Sequence, residues 1–376
     1  MGTDARHVVE SGMNGTRSGM MRIGALLLAC ALPACAPASN APAASASSGA
    51  RTYTNPVLDV DFPDPTVIRA ADGMYYAYAT QTERDGTTLN IQMARSRDLA
   101  TWEHIGDALP AKPRWARTTQ DFWAPHVAHH DGTYYLYYSA KPDAAVSDTT
   151  RGLCLAVATS RRPEGPFADK GEPLQCGSGF VNIDPMSFDD PATGKRLLYW
   201  GSGFGPIKVQ ELAADRVSFA AGSRPVDLVP ALPESDSTQY QRLVEGAWVT
   251  YHAPYYYLFY SGDNCCGPRA HYAALVARSR SATGPFQTLA EATGARTSAI
   301  LEAGGQWTAP GHNSVITDAS GTDWIFYHAV DVRRPRSKPS DDVNTRRVML
   351  MDRLIYVDGW PRVDRGPSAE PRPGPR

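Results

Sequence analysis

Residues 55–78 read NPVLDVDFPDPTVIRAADGMYYAY, and this stretch contains the unit from which the whole fold is predicted. Asp64 stands between two prolines, upstream of an Asp-Gly turn that leads into an aromatic strand. The combination of a conspicuous polar or ionisable residue and a following strand cue returns four more times, at intervals of about 60 residues. The five strand cues span residues 72–76, 131–135, 194–198, 253–257 and 321–325.

A repeat of this length, built from short strands and turns, is typical of the blades of a propeller. The cues open predicted strands over 74–80, 133–140, 197–201 and 255–261, and small-residue strands ending in Ser follow over 89–96, 153–160 and 272–279. Amphipathic helices are not indicated. The sequence therefore predicts an all-β, single-domain, five-bladed β-propeller over residues 52–366, followed by a polar tail over 367–376.

Composition narrows the classes of partner. Of the 376 residues, 42% are hydrophobic, which is enough for a large core, and the formal net charge is only −2. Because no strongly basic field exists, binding to nucleic acid or to an anionic membrane surface is disfavoured. The 18 Tyr and 8 Trp suit β-structure or surfaces that stack on sugars.

The N-terminal segment is predicted to direct export. Arg17 and Arg22 precede an apolar run over 23–32 that is too short to span a membrane. The following Leu-Pro-Ala-Cys sequence ends at Cys35 and resembles a bacterial lipoprotein cleavage box, although an ordinary cleaved secretory signal is the alternative. We therefore predict a leader over 1–35, an Ala/Ser/Pro linker over 36–51, and a periplasmic, outer-membrane-anchored or secreted protein. The only membrane contact expected is a lipid on Cys35.

Export permits disulfide bonds. Cys154 and Cys176 lie within one repeat and form a plausible bridge, whereas the neighbours Cys265 and Cys266 could form a vicinal one. The cysteines form no CxxC pair and the chain contains no H-E-x-x-H motif, so a zinc site is disfavoured.

The repeat also predicts which residues converge. The innermost strand of each blade lines the central axis of a propeller, so equivalent positions on these strands face one funnel. Those positions are occupied by Asp64, His126, Asp184, Glu245 and His312. Convergent carboxylates suit hydrolysis of a glycosidic bond, which uses one acid and one base around the sugar. Crowding raises the pKa of at least one of them, so that it stays protonated near neutral pH.

Five stretches and one residue pair together carry a family resemblance: 55–78, 122–127 (FWAPHV), 182–188, 245–261, 311–315 (GHNSV) and the Tyr-His pair at 327–328. They resemble glycoside hydrolase family 43, the five-bladed propeller arabinanases, arabinofuranosidases and xylosidases. The resemblance implies that Asp64 is the general base, Asp184 the modulator of pKa and Glu245 the general acid. It also implies inversion at the anomeric carbon, with the base and acid carboxyls roughly 6.5–9.5 Å apart.

The resemblance suggests supporting roles as well. Trp123 would stack on a sugar face, Arg347 would contact the sugar beside the acid and base, and Asn182 and Ser202 would donate hydrogen bonds to it. His126 stands where many relatives carry Asp and is placed in the funnel. His312 resembles a histidine that holds a calcium or similar ion on the channel axis of arabinanases, and no organic cofactor is expected.

The function implied is cleavage of α-L-arabinofuranosyl linkages in arabinan or other arabinose-containing plant cell-wall polysaccharides. A β-xylosidase or other pentosidase of the same family is the close alternative, and a non-catalytic carbohydrate-binding propeller is the alternative from another class. Endo or exo action depends on whether the loops over 143–150 and 333–345 block one end of the funnel.

Overall fold

The computed structural model describes residues 52–143, 151–338 and 345–376. The predicted leader with Cys35 and the linker over 36–51 lie outside the described residues, as do most of the 143–150 loop and residues 339–344 of the other loop. Among the described residues, no helix is long and apolar enough to cross a lipid bilayer.

Five antiparallel sheets follow one another along the chain, and each is one blade. A short strand precedes them, β1 (Thr52–Tyr53). The first blade and its inserted hairpin contain β2 (Thr66–Arg69), β3 (Tyr75–Ala79), β4 (Thr82–Arg84), β5 (Thr87–Leu89), β6 (Gln92–Ser96) and β7 (Trp102–Asp107). The second contains β8 (Trp123–His130), β9 (Thr133–Ala140), β10 (Arg151–Ser160), β11 (Ala168–Asp169) and β12 (Gln175–Ser178).

The third blade contains β13 (Met186–Asp189), β14 (Arg196–Trp200), β15 (Ile207–Glu211) and β16 (Val226–Val229), and a 3-10 turn (Ser237–Gln239) follows. The fourth contains β17 (Val244–His252), β18 (Tyr255–Asn264), β19 (His271–Ser279), β20 (Gln287–Thr288), α1 (Leu289–Thr293) and β21 (Ala299–Leu301). The fifth contains β22 (Trp307–Thr317), β23 (Asp323–Asp331), β24 (Arg347–Val357) and β25 (Trp360–Val363), and β26 (Arg372–Pro373) ends the fold.

The predicted five-bladed, all-β architecture is confirmed. The strand cues of the repeat are the second strands of the blades, β3, β9, β14, β18 and β23, and β9 has the predicted bounds. The first strands, β2, β8, β13, β17 and β22, lie at the inner edges of their sheets. Each contacts the first strands of both neighbouring blades, and β22 contacts β2, so the five form a closed ring.

Tyrosines of the second strands link one blade to the next. The hydroxyl of Tyr78 donates to the backbone carbonyl of Pro163 (2.6 Å), Tyr137 to that of Arg216 (2.7 Å), and Tyr199 to that of Ala282 (2.6 Å). All three rings are fully buried. A buried hydroxyl is costly without a partner, so these bonds let large aromatic side chains fill the space between blades.

The ring is closed by the two ends of the propeller. β1 pairs with β26 in antiparallel register, and the hydroxyl of Tyr53 donates to Asp352 on β24 (3.0 Å). Residues 367–376, which composition alone assigned to a polar tail, contact the fifth blade. Ser368 is buried, its hydroxyl donates to Asp352 (2.6 Å), and its carbonyl accepts from the indole of Trp307 (3.0 Å).

Both disulfide bonds that the sequence left open are present. Cys154–Cys176 joins β10 to β12 within the second blade, and Cys265–Cys266 follows the end of β18. The first therefore fixes the strand from which the chain enters the third blade.

Candidate active site

The inner strands approach the axis with the same local backbone. A residue in the left-handed conformation lies two positions before β2 and β13 and within β8, β17 and β22. The five residues at matching positions are Asp64, Ala124, Asp184, Gly246 and His312, with φ of 57°, 46°, 58°, 64° and 48°, and β22 has a second such residue at Ala309 (φ 49°). The structure therefore corrects the predicted equivalence: Glu245 lies one residue before this position and His126 two residues after it.

One cavity of about 1100 Å³ opens over these positions. Among the residues predicted from the sequence, it is lined by Asp64, Trp123, Asp184, Glu245, His312 and Arg347. The three carboxylates come from three different blades, and the propeller brings them together as the repeat predicted. The vicinal bridge between Cys265 and Cys266 lies in the wall of the same cavity.

Asp64 is held by three charged or polar groups. Nη1 of Arg347 is 3.1 Å from its Oδ1, Nδ1 of His328 is 3.2 Å from the same oxygen, and the hydroxyl of Thr80 donates to Oδ2 (2.5 Å). Burial acts to raise the pKa of Asp64, but the charge of Arg347, together with the neighbouring His312 and His328, outweighs it and holds that pKa well below its usual value. Asp64 is therefore a carboxylate throughout the neutral range.

Asp184 and Glu245 have the opposite tendency. Burial raises the pKa of Asp184 well above its usual value, and the neighbouring carboxylates of Glu245 and Asp64 raise it further. Burial also raises the pKa of Glu245, to about 7, against a hydrogen bond from the Tyr272 hydroxyl to its Oε1 (2.7 Å) that lowers it. Oδ2 of Asp184 accepts from the backbone N–H of Gly246 (2.8 Å), which ties it to the residue after Glu245. The site therefore holds a proton donor beside an ionised carboxylate.

The sequence predicted no role for three of these supporting residues. Tyr272 stacks on His328 with ring planes 1° apart and centroids 5.7 Å apart, so one aromatic pair supports both Glu245 and Asp64. Thr80 also accepts from the backbone N–H of Ala124 (2.8 Å). His328 belongs to the Tyr-His pair at 327–328, and that pair was the available signal. Tyr272 and Thr80 lie at strand ends and carry no motif.

Three predicted sugar-binding residues do not line this cavity. His126 faces a small cavity below it, where burial lowers its pKa to about 3. Asn182 is buried and accepts from the side chain of Gln175 (3.4 Å), and the buried hydroxyl of Ser202 donates to the backbone carbonyl of Val244. Direct contact of these side chains with a sugar is therefore not supported by the geometry.

The calcium expectation can be compared with the donors around His312. Its Nδ1 lies 3.4 Å from Asp64 Oδ1 and 4.0 Å from Asp184 Oδ2, above a cavity of about 20 Å³ lined also by His126 and Asn313. Within the described ranges, no group of three or more His, Cys, Asp or Glu side chains is placed to hold a metal ion. Calcium takes six to eight oxygen ligands, so an ion beside His312 would need water molecules for most of its shell. The described side chains alone do not complete such a shell.

Comparisons with known proteins show which family this chain resembles. The model of the family "Glycosyl hydrolases family 43" matches residues 53–361. A probable arabinan endo-1,5-α-L-arabinosidase B of Aspergillus fumigatus is 31% identical over 312 residues, covering 72% of this chain and 78% of that protein. An extracellular exo-α-(1→5)-L-arabinofuranosidase of Cellvibrio japonicus is 27% identical over 323 residues, covering 81% of this chain and 87% of that protein.

Solved structures show the same fold. A thermostable family-43 glycoside hydrolase superposes with a TM-score of 0.68 at 28% identity, covering 86% of this chain and 99% of that one. The α-L-arabinanase of Cellvibrio cellulosa superposes with a TM-score of 0.64 at 24% identity, covering 81% and 96%. The family match spans all five blades and every carboxylate of the cavity, and we conclude that this chain is a glycoside hydrolase of family 43.

Proposed function

We propose that this hydrolase cleaves α-L-arabinofuranosyl linkages with inversion, using Asp64 as general base and Glu245 as general acid. The observation that carries the proposal is the contrast within one cavity. The Asp64 pKa is held low beside Arg347, whereas the pKa of Glu245 is raised to about 7 by burial. Pairs of carboxyls whose surroundings separate their pKa values are typical of acid and base partners.

In the proposed reaction, Asp64 accepts a proton from a water molecule whose oxygen attacks the anomeric carbon. Glu245 donates its proton to the glycosidic oxygen as the bond to that carbon breaks. Asp184 is the proposed modulator of the pKa of Glu245, and the hydrogen bond that it accepts from the N–H of Gly246 fixes its position beside the acid. Arg347 orients Asp64 and keeps it ionised, and Trp123 offers an aromatic face to the sugar.

The substrate class is proposed from the relatives. Those named above are described as acting on arabinan or on α-1,5-linked arabinofuranosides, and a plant cell-wall polysaccharide is the substrate proposed here. The length of the first products released from linear arabinan distinguishes endo from exo action.

Product analysis on linear arabinan and on xylo-oligosaccharides tests this proposal. We expect arabinose or short arabino-oligosaccharides, with the first-formed anomer of inverted configuration by proton NMR. Glu245→Gln and Asp64→Asn should each lower kcat on arabinan by at least about 100-fold. Release of xylose alone would replace the substrate by xylan. Binding of oligosaccharides without hydrolysis would favour the non-catalytic propeller.

Export is proposed as well. The two disulfide bonds suit an oxidising compartment, and one relative is described as extracellular. Labelling with a radioactive fatty acid, with Cys35→Ala as the control, separates a lipid-anchored protein from a secreted one.

Calcium beside His312 is kept as a separate proposal, and no step of the reaction depends on it. The proposal expects one calcium per chain by atomic emission and a loss of activity after dialysis against EDTA that added calcium restores. Full activity in metal-free protein would contradict it.

A further inference from the structure

We infer that Phe180 and Phe204 form a second sugar-binding site, which takes a pentosyl unit of the substrate chain other than the one whose bond is cleaved. We call this pair the phenyl ledge. The inference rests on the proposed function and adds a binding position to it.

The ledge is an exposed aromatic surface inside the catalytic cavity. Phe204 is 65% exposed, the most exposed of the large hydrophobic side chains in the described part of the chain, and Phe180 is half-buried. Both line the cavity, with ring centroids 6.1 Å apart and planes at 65°. The other strongly exposed large hydrophobic residues do not line it: Val226, Leu232, Tyr251, Val332 and Val357. Single exposed apolar residues are common on protein surfaces, whereas two neighbouring aromatic rings in the wall of a catalytic cavity are not.

The turn that carries Phe204 is held in place by hydrogen bonds. Ser202 is 1% exposed and its hydroxyl donates to the carbonyl of Val244, while its own carbonyl accepts from the N–H of Gly205 (3.0 Å). Gly203 has a positive φ of 59°, and a Cβ there would lie 3.2 Å from the ring of Phe180. The absence of a side chain at 203 therefore lets the two phenyl rings approach each other.

The segment that carries Phe180 is fixed in the same way. It leaves β12, which the Cys154–Cys176 bridge holds to β10, and Asn182 packs its amide against Gly177, where a Cβ would lie 2.5 Å away. The N–H of Gly201 donates to the carbonyl of Ile183 (2.9 Å) and joins this segment to the Phe204 turn. The two polar residues expected to touch the sugar, Asn182 and Ser202, thus fix the segments that present aromatic rings.

The occupant follows from the continuity of the cavity. Its volume of about 1100 Å³ exceeds the usual upper range of small-ligand sites, about 1,000 Å³, so it has room for several sugar units. A pentose ring presents C–H bonds on its faces, and an aromatic surface of low polarity matches them. Because hydrogen bonds hold the segments that carry the two rings, binding there costs little backbone conformational entropy.

Phe204→Ala tests the ledge, with Tyr251→Ala as a control that removes an exposed aromatic ring outside the cavity. We expect KM for arabinan and α-1,5-arabinohexaose to rise about tenfold in Phe204→Ala. The kinetics on an aryl α-L-arabinofuranoside, which has no further sugar, should change less than about twofold. Phe204→Trp should restore the KM for long substrates, and Tyr251→Ala should leave both substrates unaffected.

Calorimetry in a Glu245→Gln background repeats the test without turnover, with arabinohexaose, arabinobiose and xylohexaose as ligands. Unchanged affinity for every hexasaccharide in the Phe204→Ala variant, or equal losses on aryl and long substrates, would overturn the ledge and leave the proposed function standing. A wild type that hydrolyses no arabinofuranoside, yet loses affinity for xylohexaose on Phe204→Ala, would overturn the proposed substrate and support the ledge. Absence of binding to all three ligands would overturn both.

Discussion

Asp64 and Glu245 face one cavity, but different neighbouring groups give the two carboxyls different pKa values. Arg347 places a positive charge 3.1 Å from Asp64, whereas Glu245 accepts its hydrogen bond from the neutral hydroxyl of Tyr272. The pKa of His328, lowered to about 4 by burial, makes this histidine a neutral partner of Asp64 near pH 7. The charge that keeps the base ionised thus comes mainly from Arg347.

Replacement of Arg347 by Ala should move the acid limb of the kcat/KM profile to higher pH. Without the guanidinium, burial raises the pKa of Asp64 and the base becomes protonated at pH values where it is now ionised. We expect kcat/KM at pH 5 to fall at least about tenfold more than at pH 7. Arg347→Lys retains the charge and should show a smaller displacement. An acid limb that does not move in Arg347→Ala would contradict this role of the arginine.

Replacement of Tyr272 by Phe should move the alkaline limb to higher pH. The hydroxyl of Tyr272 stabilises ionised Glu245, so its loss raises the pKa of this acid above about 7 and keeps it protonated further into the alkaline range. Tyr257→Phe is the matched control, because its hydroxyl donates to the carbonyl of Gly359 (2.8 Å) outside the cavity. Coincident alkaline limbs in wild type and Tyr272→Phe would show that this hydrogen bond does not tune the acid.

At the scale of the elements, the repeat in the sequence predicted the strands better than the positions on them. β9 was predicted well, because the Asp131-Gly132 turn marks its beginning and an aromatic-rich run continues from there to Ala140. In two blades the predicted position on the inner strand is offset from the observed one. The register of β8 changes between Trp123 and His126, and that of β17 changes between Glu245 and Trp248. Such bulges add a residue without changing composition, so counting from the cue misplaced His126.

The two disulfide bonds should differ in their effect on stability. Cys154 and Cys176 are 22 residues apart, so Cys154→Ala/Cys176→Ala should lower the free energy of unfolding by about 3 kcal/mol in urea titrations. Cys265 and Cys266 are adjacent and close no chain loop, so the corresponding double variant should lose much less. Equal losses in the two variants would mean that loop closure is not the basis of the stabilisation.

At the scale of the whole molecule, ring closure depends on one buried carboxyl. Asp352 accepts hydrogen bonds from the hydroxyls of Tyr53 (3.0 Å), Tyr327 (2.5 Å) and Ser368 (2.6 Å), and so joins β1, the fifth blade and the C-terminal segment. The sequence did not predict this role of Asp352, because its partners lie up to 299 residues away from it along the chain and belong to no motif. From composition, residues 367–376 were likewise predicted to be a polar tail. They instead complete the seam where the two ends of the propeller meet.

Asp352→Ala should therefore lower the free energy of unfolding by at least about 3 kcal/mol, since three buried hydroxyls lose their acceptor. Urea titration followed by tryptophan fluorescence measures the change. The exposed Asp227 on β16 gives the control Asp227→Ala, which should shift the free energy by less than about 0.5 kcal/mol. A variant of Asp352 as stable as this control would show that the seam is held by strand pairing alone.

The five left-handed residues at matching positions of the first strands give the propeller five equivalent positions for functional side chains. Their backbones are alike, while their occupants are two aspartates, an alanine, a glycine and a histidine. Asp and Asn adopt this conformation more readily than Ala, so the second blade could accept an acidic side chain at 124 at little backbone cost. In such a propeller, a single substitution at one of these positions can change the chemistry of the site. The repeat keeps the backbone the same in all five blades, so new chemistry arises where one blade differs from the other four.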